Sequence, residues 1–106
     1  MKLGIDIVKI NKFKKIKKTD FYLWQKVFTK NEWKYSFKDK LYTCHLAGIF
    51  AAKEAAFKAM GWTNFSDLGK IEVSHVKGGL PMLNFKKLHV SISHSDDTAI
   101  AVVIGQ

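Results

Sequence analysis

Two acids in this chain stand where acids are costly. Asp6 interrupts the apolar run Gly4-Ile5-Asp6-Ile7-Val8, and Glu54 interrupts the Ala-rich run from Phe50 to Lys58. A carboxylate among apolar neighbours is unfavourable unless something positive meets it. Brought together, the pair would suffice for Mg²⁺, which keeps several waters and takes its remaining oxygens from substrate phosphates. Lys53 and Lys58, on either side of Glu54, would suit those phosphates. Each acid also has an ordinary reading: Asp6 on a solvent face or capping a neighbouring helix, Glu54 in an i,i+4 pair with Lys58 that adds roughly a few tenths of a kcal/mol.

A second cluster lies near the end of the chain. In His89-Val90-Ser91-Ile92-Ser93-His94-Ser95 the side chains alternate, so His89, Ser91 and Ser93 share one face of a strand while Val90, Ile92 and His94 share the other. His94 therefore closes an apolar face, either as a structural residue or as a ligand. The four His and one Cys reproduce no zinc spacing, and Ser91 or Ser93 lies too close in sequence to His94 for a hydrolase arrangement. Asp96-Asp97 reads as a turn.

The elements that must position these residues are legible in outline. Lys2 to Val8 reads as a strand, and Ile10, Phe13 and Ile16, spaced by three among Lys residues, predict an amphipathic helix. Phe21 to Phe28 continues at helical spacing. Thr29-Lys30-Asn31-Glu32 has the form of a capping box, so a helix starts near Lys30. Leu41 to Met60, rich in Ala and followed by Gly61, predicts a central helix whose Ala residues let other backbone come close. Beyond it, Ile71 to Val76 and Leu80 to Phe85 read as strands around Lys77-Gly78-Gly79, and His89 to His94 with Thr98 to Ile104 as a hairpin. A strand, several helices and then antiparallel strands make an α+β domain.

Composition narrows the setting. The chain has 106 residues, 18 basic against 9 acidic, a net charge of +9, 47% hydrophobic residues and one Cys. That is apolar enough for a folded core, too short for more than one domain, and small enough to gain from oligomerisation. No apolar run approaches the roughly 20 residues of a membrane span. With Asp6 inside the opening apolar stretch, a secretory signal is not expected, and the lone Cys44 fits a reducing cytoplasm. Every basic residue is Lys, most of them before Leu41. A Lys head lacks the planar fork that reads bases, which points to phosphates or an acidic surface rather than to sequence-specific DNA readout.

Three separated segments, Gly4-Ile5-Asp6-Ile7-Val8, Phe50-Ala51-Ala52-Lys53-Glu54-Ala55 with Lys58, and Ser91-Ile92-Ser93-His94, together resemble the holo-acyl-carrier-protein synthases, the short class of 4′-phosphopantetheinyl transferases. Val27-Phe28-Thr29 and Leu46-Ala47-Gly48 extend the likeness over nearly the whole chain. The resemblance implies the 4′-phosphopantetheinyl transferase fold and Mg²⁺-dependent transfer of 4′-phosphopantetheine from coenzyme A to a serine of apo acyl carrier protein, in fatty acid biosynthesis. It implies metal ligands at Asp6 and Glu54, catalytic roles for Glu54 and Lys58, and coenzyme contacts at Lys53, Lys58, Gly61, His94 and Ser95. It further implies a homotrimer and a carrier-protein surface on the segment after the first strand, with Lys9, Lys12, Lys14, Lys15, Lys17 and Lys18 steering an acidic partner and Phe13 and Ile16 supplying apolar contact. Membrane and nucleic acid are not expected partners.

The chain departs from that pattern at three places. Ile49 stands where relatives commonly carry Arg, Phe85 to His89 is short where they often insert a helix, and Trp62-Thr63-Asn64-Phe65 replaces a Gly-rich segment. A degenerate transferase that only binds carrier protein and a non-enzymatic basic nucleic-acid binder are the alternatives.

Overall fold

The computed structural model describes all 106 residues, which run β1 (Lys2–Lys9), α1 (Phe21–Trp24), α2 (Lys30–Ser36), α3 (Tyr42–Ala59), β2 (Val73–His75), β3 (Pro81–Leu83), β4 (Leu88–Ser95) and β5 (Thr98–Gly105). β1, β5 and β4 form an antiparallel sheet in that order, and β2 pairs with β3 in a small second sheet. β4 and β5 turn through Asp96-Asp97, with Asp96 in the left-handed region at φ 51°. Asp97 is also an anchor: its backbone carbonyl accepts the Ile10 N–H at 2.8 Å and its carboxylate the Asn11 N–H at 3.0 Å.

α3 lies across one face of the larger sheet. All six of its Ala residues are buried, so small apolar side chains face the core on several sides, as a central helix requires. The path is diagonal. Near its start, Gly48 meets Ile92 and His94 on β4; near its end, Ala55 and Ala59 press on Gly4 of β1, where a Cβ would stand 1.9 Å from the Ala55 carbonyl oxygen. Gly61, at φ 67°, then stops the helix: its N–H bonds to the Lys58 carbonyl and that of Trp62 to the Phe57 carbonyl. The capping box at Thr29 forms as expected, Thr29 Oγ1 accepting from Glu32 N and Glu32 Oε1 from Thr29 N.

The outer face of the sheet is apolar and uncovered. Register aligns Leu3 with Ile104 and His89, Ile5 with Val102 and Ser91, and Ile7 with Ile100 and Ser93. The six apolar members of this grid are all at least 37% exposed.

The predicted amphipathic helix after β1 is not formed. Ile10–Phe13 is a single 3₁₀ turn, and both Phe13 and Ile16 are buried in the core, Phe13 against Trp24, Phe28 and Phe50. A repeat of three fits the three residues per turn of a 3₁₀ helix better than the 3.6 of an α-helix, and a longer helix would stack like charges from Lys9 to Lys18. Phe21 to Phe28 likewise yields only the one-turn α1.

Candidate active site

In β1 the pleat turns Gly4, Asp6 and Val8 toward α3 and leaves Ile5 and Ile7 outside. Because Gly4 has no side chain, the helix settles against the strand, and the next inward residue, Asp6, faces Glu54 and Lys58. The Asp6 side chain is 11% exposed, its Oδ1 3.0 Å from the Lys58 ammonium, which also donates to the Ile5 carbonyl at 3.1 Å. The sequence pairs Lys58 with Glu54 along the helix; the structure ties it across to the strand. Burial holds the Glu54 carboxyl above its ordinary value, and the Asp6 carboxylate beside it raises it further against the opposing charges of Lys58 and Lys12.

Two adjacent carboxylates, one of them held toward protonation by burial and by its neighbour, want a cation between them. No third Asp, Glu, His or Cys completes a cage. The donor set thus fits a hard cation that retains waters and accepts ligand oxygens, the coordination habit of Mg²⁺, rather than a fully protein-ligated metal. Lys58, half exposed, is placed to reach an anion bound there.

Lys53, expected beside the phosphates, points elsewhere. Adjacent helix positions diverge by about 100°, so with Glu54 turned to β1, Lys53 enters the core under α2. It is completely buried, its ammonium 2.6 Å from Glu32 Oε1. The other Glu32 oxygen accepts the Val73 N–H at 2.7 Å, so one carboxylate ties the α2 cap, α3 and β2 together. Burial pushes Glu32 up and Lys53 down, each offset in part by the other. Sequence reasoning missed this pair, although the capping box had already singled out Glu32.

The remaining candidates lie apart. His94 and Ser95 are exposed at the end of β4, with His94 Nε2 3.2 Å from the Cys44 carbonyl. From the strand order, their backbone is about 12 Å from Asp6 across the sheet, and α3 runs between. Near His94 opens a cavity of about 230 Å³ that also reaches His45, Ile49 and His75. Gly61, beyond Lys58, is exposed as the helix stop. Ile49 is 1% exposed, part of the core rather than a surface gap. Of the segment after β1, Lys9, Lys12, Lys14, Lys15, Lys17 and Lys18 are exposed, whereas the burial of Phe13 and Ile16 removes the apolar contact expected of them.

The chain is similar over nearly its whole length to proteins of one family. A model of the 4′-phosphopantetheinyl transferase superfamily matches residues 2–103. The holo-acyl-carrier-protein synthase of Caldicellulosiruptor bescii is 37% identical over 118 residues, spanning 98% of this chain and 96% of its own. That of Thermodesulfovibrio yellowstonii is 38% identical over 107, spanning 96% and 95%. Among solved structures, the Helicobacter pylori holo-acyl-carrier-protein synthase in complex with coenzyme A superposes with a TM-score of 0.81 at 30% identity, covering 98% of this chain and 99% of that one. The Bacillus anthracis enzyme in complex with CoA (3′,5′-ADP) gives 0.77 at 34%, covering 96% and 92%.

Proposed function

This chain belongs to the 4′-phosphopantetheinyl transferase superfamily, and on that footing we propose that it transfers 4′-phosphopantetheine from coenzyme A to a serine hydroxyl of apo acyl carrier protein, releasing adenosine 3′,5′-bisphosphate. The observation that carries the reading is the meeting of Asp6, Glu54 and Lys58 at the β1–α3 contact. In this reading Asp6 and Glu54 would hold Mg²⁺, whose positive charge would offset that of the coenzyme's diphosphate. Lys58 leaves Asp6 for the departing phosphate and offsets the charge that grows there, the main demand of phosphoryl transfer. Glu54, or a water held beside it, would take the proton of the attacking serine.

The exposed Lys strip from Lys9 to Lys18 steers an acidic carrier protein by charge, without an apolar anchor from Phe13 or Ile16. His94, Ser95 and Gly61 are the further coenzyme contacts. Since His94 and Asp6 lie on opposite flanks of α3, one coenzyme molecule engages both most simply across two copies of the chain. The uncovered apolar grid of the sheet supports a homotrimer assembled through that face. The chain would act as one domain in the cytoplasm, serving fatty acid biosynthesis. No helix is long and apolar enough to cross a membrane.

The deciding experiment is the mass of apo acyl carrier protein after incubation with this protein, coenzyme A and Mg²⁺. A phosphopantetheine adduct is the expected result. A carrier complex without an adduct would mark a degenerate transferase, and neither, with salt-sensitive binding to RNA or DNA, would mark a nucleic-acid binder.

A further inference from the structure

The inner face of the larger sheet runs on past the helix that covers it. Ala59, the last residue of α3, packs on Gly4, and the chain turns away at Gly61. One inward row farther along, Lys2, Gly105 and Leu88 stand in register beyond the helix end. Leu88 folds over Gly105, where a Cβ would stand 2.5 Å from Leu88 Cδ2, and Met60 and Phe85 wall the space that remains, a hollow of about 250 Å³. A second hollow of about 340 Å³, between β3 and β4, shares Phe85, Lys86 and Leu88 with the first and continues along Met82, Leu83 and Val90. The charge here is of one sign. Lys2, Lys86 and Lys87 are exposed around the first hollow, no Asp or Glu lines either one, and none of the three Lys belongs to an ion pair. Lys86 and Lys87 are held at the rim by a turn in which the Leu88 N–H donates to the Phe85 carbonyl at 3.0 Å.

We propose that this end of the sheet binds a free fatty acid, its carboxylate among Lys2, Lys86 and Lys87 and its hydrocarbon chain along Met60, Phe85 and Leu88 into the hollow between β3 and β4. Like charges gathered around an apolar opening repel one another until an anion comes between them. A cationic rim over an apolar floor is complementary to an anionic head with an apolar tail. The space suffices, since a cavity of roughly 150 Å³ already admits benzene and each hollow exceeds that. A compact dianion such as phosphate is the poorer match, because it would leave the floor wet and face the carbonyl end of α3. The inference stands apart from the transferase reading: Asp6, Glu54 and Lys58 line neither hollow.

The test is titration calorimetry of the full chain at pH 7.5, where carboxylate and ammonium are both charged. The probes are hexanoate, octanoate and decanoate, with decyltrimethylammonium as the same tail on the opposite charge and inorganic phosphate as a head without a tail. Affinity should rise about fourfold with each methylene added, the equivalent of its burial, and decyltrimethylammonium should bind at least about tenfold more weakly than decanoate. Methyl NMR locates the ligand: decanoate should shift the Met60 and Leu88 resonances and leave those of Ile5 and Ile7, on the outer face, in place. The double variant Lys86→Gln, Lys87→Gln changes two exposed residues outside the candidate active site and should weaken decanoate about fivefold or more. The wild-type series depends on no variant. Equal binding of the two decyl compounds, an affinity independent of chain length, phosphate bound more tightly than decanoate, shifts confined to the outer face, or undiminished binding by the folded variant would each overturn the inference.

Discussion

Replacing Gly4 by Ala tests whether the candidate site depends on the closeness of β1 and α3. The new Cβ would stand 1.9 Å from the Ala55 carbonyl oxygen and 2.8 Å from the Ala59 amide nitrogen, both backbone atoms that no rotamer change can move. Carbon and carbonyl oxygen need about 3.3 Å, so strand and helix must part by about 1.4 Å. A gap of even 0.5–1 Å gives up roughly a quarter to a half of each dispersion contact along the seam. Gly4→Ala should therefore destabilise by about 3 kcal/mol or more, at the upper end of overpacking costs. It should also draw Asp6, two residues along, away from Glu54. Gly48→Ala is the control on the same helix. Its Cβ meets only side-chain atoms, His94 Nε2 at 3.1 Å and Ile92 Cγ2 at 3.2 Å, and the higher helix propensity of Ala returns up to about 1 kcal/mol. Its stability should stay within about 1 kcal/mol of wild type. Urea unfolding gives both numbers, and Mn²⁺ binding to the folded fraction reads the carboxylate pair. Should Gly4→Ala unfold within about 0.5 kcal/mol of wild type, or Gly48→Ala prove the worse, the packing argument is wrong.

Glu54→Gln should abolish transfer yet stabilise the metal-free chain. A raised carboxyl pKa contributes stability that is complete below the ordinary value of 4.5 and lost as pH climbs through the folded-state value, so the advantage of Gln should widen from pH 4 to pH 7 in chelator-treated urea titrations. Lys53→Met leaves Glu32 a lone buried charge and should cost about 3–5 kcal/mol; the double variant Glu32→Gln, Lys53→Met should recover part of this, and a double variant as unstable as the single would refute the charge argument. Val102→Glu places a charge at the centre of the exposed sheet face and should reduce the assembled mass in sedimentation velocity; an unchanged mass would exclude that face as the interface. Lys12→Glu with Lys15→Glu should raise the KM for carrier protein more than that for coenzyme A, and equal effects would reject docking by charge.

What could be read in advance followed the range of the interaction. Thr29 and Glu32 sit three apart and answer to one another, and Gly61 meets carbonyls of the turn just behind it, so both helix boundaries were legible. Asp6 and Glu54 stood out as acids in apolar surroundings, and the structure brings them together because the residue before last, Gly4, is small enough to let the helix in. The failures have equally definite causes. Alanine on all sides of α3 removes the periodic cue to which way a given residue points, so nothing local told that Lys53 turns inward while its neighbour Glu54 turns to the strand. Its partner lies 21 residues away. After β1, the spacing of three was sound but its period was misjudged, and the apolar positions went to the core rather than to a partner's surface.

The ion pair under α2 has a historical consequence. Total stability of a domain of this size is roughly 5–15 kcal/mol, so a lineage that loses either Lys53 or Glu32 alone forfeits about a third of it or more before the compensating change can arise. A neutral pair would serve only if the residue at 32 still accepted the Thr29 and Val73 N–H groups, and the two codons must change nearly together to reach it. Descendants of this chain are thus expected to keep both residues or neither, inherited as one character.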